Sequence, residues 1–419
     1  MKKRKIIWFC GAQFSDEKIK TTGTWLIAMG NAIADIEDIE LYNVTYGNVK
    51  SIIQNNTRNI TQWIIPINDL KKYHRGSNAL VLFVKKLEEE IKPDLIHIWG
   101  TENEFGFIVS DAKLKTPVLL DIQGLLFAIV KFYYGGLDLK DLIKCIDIKE
   151  LLKPKHHPYF IRRSFRKKGK DELKLISKVE NISVQSEWVQ SVISNVSKTS
   201  SIFRTGIMLR KEFYESSAWK RHENNDQINI FTSSSGPIPY KGIHVVLEAI
   251  TLLKKTYPNI KLNIGGDFQI KKKYGFIRNG YTSWLLKKIK DLGISDSVSW
   301  LGMLSSDEII REMNKASVVV VSSFIETYCL FMAEAMMVGV PTVVSFSGAM
   351  PELAEHGKSA LYFTPGDHWD CARNIEKIIK NHELAEMLSF ESRLRAFERN
   401  DQDKVLKTQL DIYNKITYM

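Results

Sequence analysis

The sequence predicts an α/β protein with two parallel-sheet domains, and three observations carry that reading. Short apolar and β-branched runs alternate with helix-forming segments from one end of the chain to the other, the order that parallel sheets require. At 419 residues the chain is too long for one ordinary core. The alternation also restarts near residue 227, after a polar stretch at 220–226 that reads as a linker.

In the first half, the apolar runs place strands at 5–10, 39–45, 63–67, 95–99, 117–122 and 181–185. Helical periodicity fills 24–34, 78–91, 104–112, 171–178 and 188–196. In the second half, strands are expected at 227–232, 260–265, 298–302, 317–322, 341–345 and 359–363. The helices between them fall at 242–257, 282–292, 306–315, 330–338 and 368–380. Gly206 breaks the chain and offers a hinge beside Thr205. The tail from about 382 reads as two helices with no strand. The domains are therefore expected at 1–205 and 206–396, with 397–419 as a terminal helix. There is no internal repeat or low-complexity tract.

Composition narrows the class. An apolar content of 44% is ordinary for a globular protein, and no stretch approaches the ~20 apolar residues of a membrane span. The apolar run after the basic start Met1-Lys2-Lys3-Arg4-Lys5 is too short for a signal-peptide core and reads as a first strand. Cys10, Cys145, Cys329 and Cys371 are scattered without a Cys-x-x-Cys pair, which indicates reduced thiols in a cytoplasmic protein. The net charge is +11, and residues 151–170 hold eight Lys/Arg and no acid, interleaved with His156, His157, Tyr159, Phe160 and Phe165. Such a basic, aromatic segment fits an anionic membrane surface, a solvated loop or nucleic acid. The membrane surface ranks first only because of the activity argued below, and no nucleic-acid partner is expected.

Glu326 and Glu334 are the most informative pair. Glu326 follows the β-branched run 318–321, and Glu334 lies within the helix formers 330–337. A helix N-terminus with unpaired N–H groups lies between them and favours phosphate. Two hydroxyl-accepting acids flanking an anion cradle describe a site for a nucleotide sugar. Downstream, Gly339 ends the helix and a strand restarts after Pro341. Ser347-Gly348-Ala349-Met350-Pro351-Glu352 comes next.

In this order of elements the chain resembles retaining glycosyltransferases of family 4, whose signature is a Glu, seven residues and a second Glu. The stretches Pro93 to Glu102, Gln123-Gly124-Leu125 and Arg399-Asn400-Asp401 resemble a subgroup that builds bacterial surface polysaccharides. The resemblance spans nearly the whole chain and is stronger in the second half. It implies a GT-B fold: two Rossmann-like domains with parallel sheets facing a central cleft, and a last helix that crosses back onto the first domain.

The resemblance also implies roles for single residues. Glu326 contacts the donor sugar and Glu334 the ribose. Lys241, in Ser233-Ser234-Ser235-Gly236-Pro237-Ile238-Pro239-Tyr240-Lys241-Gly242, binds the diphosphate. Read alone, Lys241 is a lysine at a helix start. Ser235 stands where relatives carry an Arg, and Gln123 where many carry a His; Gln donates a hydrogen bond but moves no proton at neutral pH. Cys329 stands where many relatives have Gly. The catalytic set is thus Glu326, Lys241 and Gln123. The donor set is Glu334, Ser235, Gly236, Thr327, Tyr328, Cys329, Leu330 and Gly266. The acceptor and phosphate loop is Gly23, Thr24 and Trp99. His97 reads as a packed strand histidine. Asp401-Gln402-Asp403 reads as a solvated helix start, and no metal or cofactor is expected.

These expectations describe a retaining transferase that uses a UDP- or GDP-linked sugar and a lipid-linked or glycan acceptor. Its place is the cytoplasm, or the inner face of the membrane as a peripheral protein. The rivals are a sugar-nucleotide 2-epimerase, which needs acid/base groups that Gln123 does not offer, and an inactive nucleotide-sugar-binding scaffold.

Overall fold

The computed structural model describes residues 3–15, 25–73, 78–146, 157–221, 227–270 and 279–418. The chain forms two compact units. The first is Met1–Leu126, Lys168–Arg210 and Asn400–Met419; the second is Phe127–Lys167 and Lys211–Arg399.

The first unit holds one sheet of eight strands: β1 (Arg4–Phe9), β2 (Ile39–Gly47), β3 (Ile53–Thr57), β4 (Ile60–Pro66), β5 (Leu95–Trp99), β6 (Val118–Ile122), β7 (Asn181–Val184) and β8 (Ser201–Arg204). Their order is β3-β4-β2-β1-β5-β6-β7-β8. All pairs are parallel except β3 with β4, a hairpin that turns at Arg58 with φ 51°. Neither β3 nor β8 was expected from sequence. β3 is a polar edge strand, and β8, Ser-Ile-Phe-Arg at the other edge, has no buried position, so neither carries a readable apolar pattern. The winding reverses between β1 and β5, and residues of both are buried: Ile6, Ile7, Trp8 and Phe9 are within 1% of complete burial.

The C-terminal segment packs in this unit. Asp401 caps the helix Gln402–Thr417 by accepting from the Lys404 amide at 2.8 Å. The Tyr413 hydroxyl accepts from Trp8 Nε1 at 3.0 Å and donates to His97 Nδ1 at 2.8 Å. Burial holds the His97 imidazole well below its ordinary pKa, so it is neutral and structural.

The second unit holds six strands: β9 (Asn229–Ser233), β10 (Lys261–Gly265), β11 (Val298–Gly302), β12 (Val318–Val321), β13 (Thr342–Ser345) and β14 (Leu361–Phe363). Their order is β11-β10-β9-β12-β13-β14, all parallel. The chain steps from β9 out to β11, returns to β12 and continues the other way. The reversal between β9 and β12 is where open α/β sheets place ligands.

One assignment differs from the sequence reading. Residues 127–167 belong to the second unit, not the first. His244 Nε2 donates to the Gly135 carbonyl at 2.8 Å, and Tyr133 packs its ring on Phe165 and Tyr240 at 5.2 and 6.0 Å. These contacts span about a hundred residues of sequence, which local periodicity does not encode. The remaining unit changes, at 210/211 and 399/400, fall a few residues beyond the expected 205/206 and 396/397. The basic segment at 151–170 is also not a plain loop: it is helical from Pro158 within Pro158–Ile176, where proline suits a helix start, while 151–156 lie outside the described residues.

Candidate functional site

In the second unit the loops after β9 and β12 are bound to each other. The Phe324 amide donates to the Tyr240 carbonyl at 2.7 Å, and Ser322 Oγ donates to the Lys241 carbonyl at 3.0 Å. The loop after β13 holds the same segment from the other side. Ser345 and Ser347 hydroxyls donate to the Ser323 carbonyl at 2.5 and 2.7 Å, and the Ala349 amide donates to the Glu326 carbonyl at 2.9 Å. Lys241 and Glu326, 85 residues apart, are thereby fixed side by side: Lys241 Nζ donates to Glu326 Oε1 at 2.5 Å.

The ion pair is largely sheltered, with side-chain exposures of 21% and 12%. Burial, the largest single influence, works to lower the Lys241 pKa, but the Glu326 carboxylate, Tyr240 and Cys329 together outweigh it and hold the ammonium above its ordinary value. Lys241 is therefore a fixed positive charge. Burial also pushes the Cys329 thiol up, with the charge of Glu326 next in size, Lys241 opposing and Glu334 adding to the rise. Glu326, Lys241, Cys329 and Glu334 thus share one electrostatic neighbourhood.

Cys329 opens the helix Leu330–Val338 with φ 85°, the left-handed region that favours glycine, and makes no side-chain cap. The first amides of that helix favour an anion. Glu334 lies one turn beyond Leu330 on the same helix and is 8% exposed. Thr327 and Tyr328 are buried, and Leu330 is half-buried. After β9, Ser235 is exposed and Gly236 is buried; Ser234 Oγ donates to the Gly236 carbonyl at 2.8 Å and shapes the turn. Gly266 follows β10 with φ 116°, backed by the Ser234 carbonyl. The structure therefore gathers Glu326, Lys241, Cys329 and Glu334, and places Ser235, Gly236 and Gly266 in the loops after β9 and β10.

The first unit presents a different picture at its strand ends. Gln123 follows β6 and is half-buried. Trp99, expected to face the acceptor, is 1% exposed. It packs against His97, Trp8 and Trp25 at 3.9, 4.8 and 5.4 Å, so it is a core residue without an open face. Gly23 and Thr24 lie outside the described residues.

Sequence reasoning gave no role to Glu102. Its residue is exposed, but its carboxyl lies down in a niche between two glycines. A Cβ on Gly100 would lie 2.3 Å from Oε2, and one on Gly124 2.5 Å from Oε1. That burial raises the carboxyl pKa, while the Glu102 and Thr101 amides and Lys168 work the other way. Gln123 Oε1 borders the same niche, 3.2 Å from the Gly100 Cβ position. The readable signal was Gly100-x-Glu102 after one buried strand with Gly124 just past the next. Among the described residues, no group of three His, Cys, Asp or Glu is placed to hold a metal, and no helix is long and apolar enough to cross a membrane.

Residues 216–395 match a family model described as Glycosyl transferases group 1. A curated relative, the MMP alpha-(1->4)-mannosyltransferase of Mycolicibacterium hassiacum, is 28% identical over 187 residues, 44% of this chain and 43% of that protein. Mannosylfructose-phosphate synthase of Agrobacterium fabrum is 26% identical over 36% of this chain and 32% of its own length. The chain thus spans less than half the length of these relatives. Among solved structures, sucrose-phosphate synthase from Thermosynechococcus elongatus superposes with TM-score 0.72 at 15% identity over 99% of both chains. Anabaena HepE in complex with UDP-glucose superposes with TM-score 0.67 at 16% identity, over 99% of this chain and 100% of that one. The fold is GT-B, as the sequence led us to expect, and residues 216–395 are similar to the group 1 glycosyl transferases.

Proposed function

We propose that the protein is a retaining glycosyltransferase that moves a hexosyl group from a nucleoside diphosphate sugar to a lipid-linked or glycan acceptor in bacterial surface-polysaccharide synthesis. The observation that carries this reading is the Lys241–Glu326 pair, held beside a helix N-terminus at the reversal of the second sheet. A diphosphate brought to Lys241 competes with Glu326 for the ammonium. That exchange frees the Glu326 carboxylate to accept hydrogen bonds from the donor sugar. Glu334 accepts from the ribose hydroxyls. The amides at Leu330 onward and Lys241 stabilise the charge that grows on the leaving diphosphate.

In this reading the acceptor hydroxyl oxygen bonds to the anomeric carbon as the carbon–oxygen bond to the β-phosphate breaks, and the hydroxyl proton passes to the departing phosphate oxygen. The transition state is oxocarbenium-like, and no side chain need form a covalent intermediate. Glu102 and Gln123 offer the acceptor side an acceptor and a donor of hydrogen bonds. A lipid-linked acceptor implies a peripheral contact with an anionic membrane. UDP is the first nucleotide to try, because a structural neighbour was solved with UDP-glucose.

The test is release of nucleoside diphosphate from UDP- and GDP-sugars, with binding measured by calorimetry. Slow hydrolysis of one donor that vanishes in Glu326→Ala supports the transferase. Nucleotide binding with no turnover in any acceptor mixture replaces it with the scaffold. The absence of binding by any nucleotide sugar overturns both.

A further inference from the structure

We propose that the face formed by the helix Leu139–Lys144 and the start of the helix Pro158–Ile176 is a docking surface for an anionic lipid bilayer. The inference rests on the lipid-linked acceptor of the reading above and assigns its membrane contact to particular side chains.

Four large apolar residues stand in water there: Leu139 is 77% exposed, Ile143 64%, Tyr159 51% and Phe160 41%. Leu139 and Ile143 are one turn apart and share a helix face. His157 Nε2 donates to the Leu142 carbonyl at 3.1 Å, which ties the second helix start to the first helix, and the Tyr159 and Phe160 rings meet edge-on at 5.3 Å. The apolar exposure is thus gathered by packing and is not a set of isolated surface residues.

The surrounding charge selects the occupant. Residues 127–146 and 157–167 contain seven Lys/Arg and two Asp. Lys131, Lys140, Lys144, Arg163, Arg166 and Lys167 are exposed. Both acids are engaged: Asp138 caps the helix by accepting from the Asp141 amide at 2.8 Å, and Asp141 pairs with Lys144 at 3.7 Å. The same unit has a second exposed apolar row, Met387, Phe390, Leu394 and Phe397 along the helix His382–Arg399. That row is flanked by Glu383, Glu386, Glu391 and Glu398, which an anionic surface repels, while Arg393, Arg395 and Arg399 of the same helix donate to main-chain carbonyls of the unit. Of these two faces among the described residues, the first combines apolar insertion with positive charge, the pairing that peripheral membrane surfaces use. A nucleic acid would use the cations and the aromatic rings but leave Leu139 and Ile143 in water.

The experiment is co-sedimentation of the full chain with phosphatidylcholine vesicles, with and without about 30% phosphatidylglycerol. The wild type should pellet only with the anionic vesicles, and less at high salt. Leu139→Ser/Ile143→Ser, which changes only exposed side chains, should weaken partitioning about tenfold. Arg163→Glu/Arg166→Glu should also weaken it. No partitioning of the wild type, or unchanged partitioning of the Leu139/Ile143 variant, overturns the proposal. So does binding to a single-stranded oligonucleotide that competes with vesicles and ignores Leu139 and Ile143. UDP titration of the same samples separates the two readings. Lost vesicle binding with UDP still bound strikes only the surface, and vesicle binding without nucleotide binding strikes only the proposed activity.

Discussion

The two sheets are built alike and finished differently. Both reverse their winding at one place, between β1 and β5 in the first unit and between β9 and β12 in the second. The second unit finishes its reversal with interlocked polar loops and a sheltered ion pair. The first finishes with an aromatic cluster of Trp8, His97, Trp25 and Trp99, leaving Gln123 and Glu102 at the rim. A diphosphate is common to all nucleoside diphosphate sugars, the donor class proposed above, and calls for fixed charge and fixed amides. An acceptor varies and needs only hydroxyl-binding groups on a rigid base. The difference teaches that topology locates a site, while side-chain polarity at the reversal decides what it holds.

The sharpest way to break this comparison is to remove charge from the second unit. Lys241→Ala should lower turnover about 100- to 1,000-fold, the usual cost of losing one stabiliser of a developing anion. Diphosphate release under saturating donor measures it, and a loss below about tenfold would contradict the fixed-charge role.

The next effect belongs to the first unit and is one of stability. Trp99→Ala removes a fully buried ring and should cost about 3–5 kcal/mol of unfolding free energy. Nucleotide affinity at native temperature should hardly change. Denaturant melts with parallel UDP titration check both. A large affinity loss with a small stability loss would return Trp99 to the ligand site.

Titration sets two buried groups, one in each unit, against each other. Burial raises the Asp121 carboxyl from 3.8 to about 7, although Ser183 and Gln185 donate to it at 2.7 and 2.6 Å. Its contribution is complete below the unfolded pKa and is lost as pH rises through about 7. Burial lowers His244 in the second unit from 6.5 to about 4. Its contribution is complete above the unfolded value and is lost as pH falls through about 4. Between these limits the Asp121 and His244 contributions run in opposite directions, while His97 in the first unit, held low by burial, runs with His244. Asp121→Asn should flatten the first unit's slope by roughly 2–4 kcal/mol across that window. Hydrogen exchange resolved by unit reads this out, and a first-unit slope that is the same in the wild type and in Asp121→Asn would refute it.

The smallest effect tests the niche at β5 and β6. Glu102→Gln should raise the acceptor KM about tenfold while leaving donor hydrolysis unchanged, since one charged hydrogen bond is removed on the acceptor side alone. Equal losses in both assays would make Glu102 a structural residue.

Much of this was legible beforehand, and unevenly. All six strands of the second sheet lie within two residues of their expected bounds because buried parallel strands read as apolar runs: Val318–Val321 is buried at every position. The departure at Cys329 was also visible, since a residue where relatives carry glycine turned out to be held at φ 85°. Trp99 was misplaced because a tryptophan at a strand end looks the same in sequence whether it faces a ligand or three other rings. Glu102 passed unnoticed because its niche depends on Gly124, a residue of the next strand's loop. The allegiance of 127–167 was invisible because His244 and Tyr240, which hold it, lie about a hundred residues away.

The chain's own order of apolar runs, glycines and acids determined the α/β class, the two-domain organisation and the placing of Glu326 and Glu334 along one strand–helix unit, because those signals are local and repeat with the period of their element; the GT-B architecture was implied by the family resemblance of those motifs. Only the tertiary structure decided that Lys241 meets Glu326, that Trp99 is core, and that a basic, apolar helix pair is carried by the second unit. Those facts depend on distances between segments far apart in sequence, which are set by packing and by no periodicity within either segment.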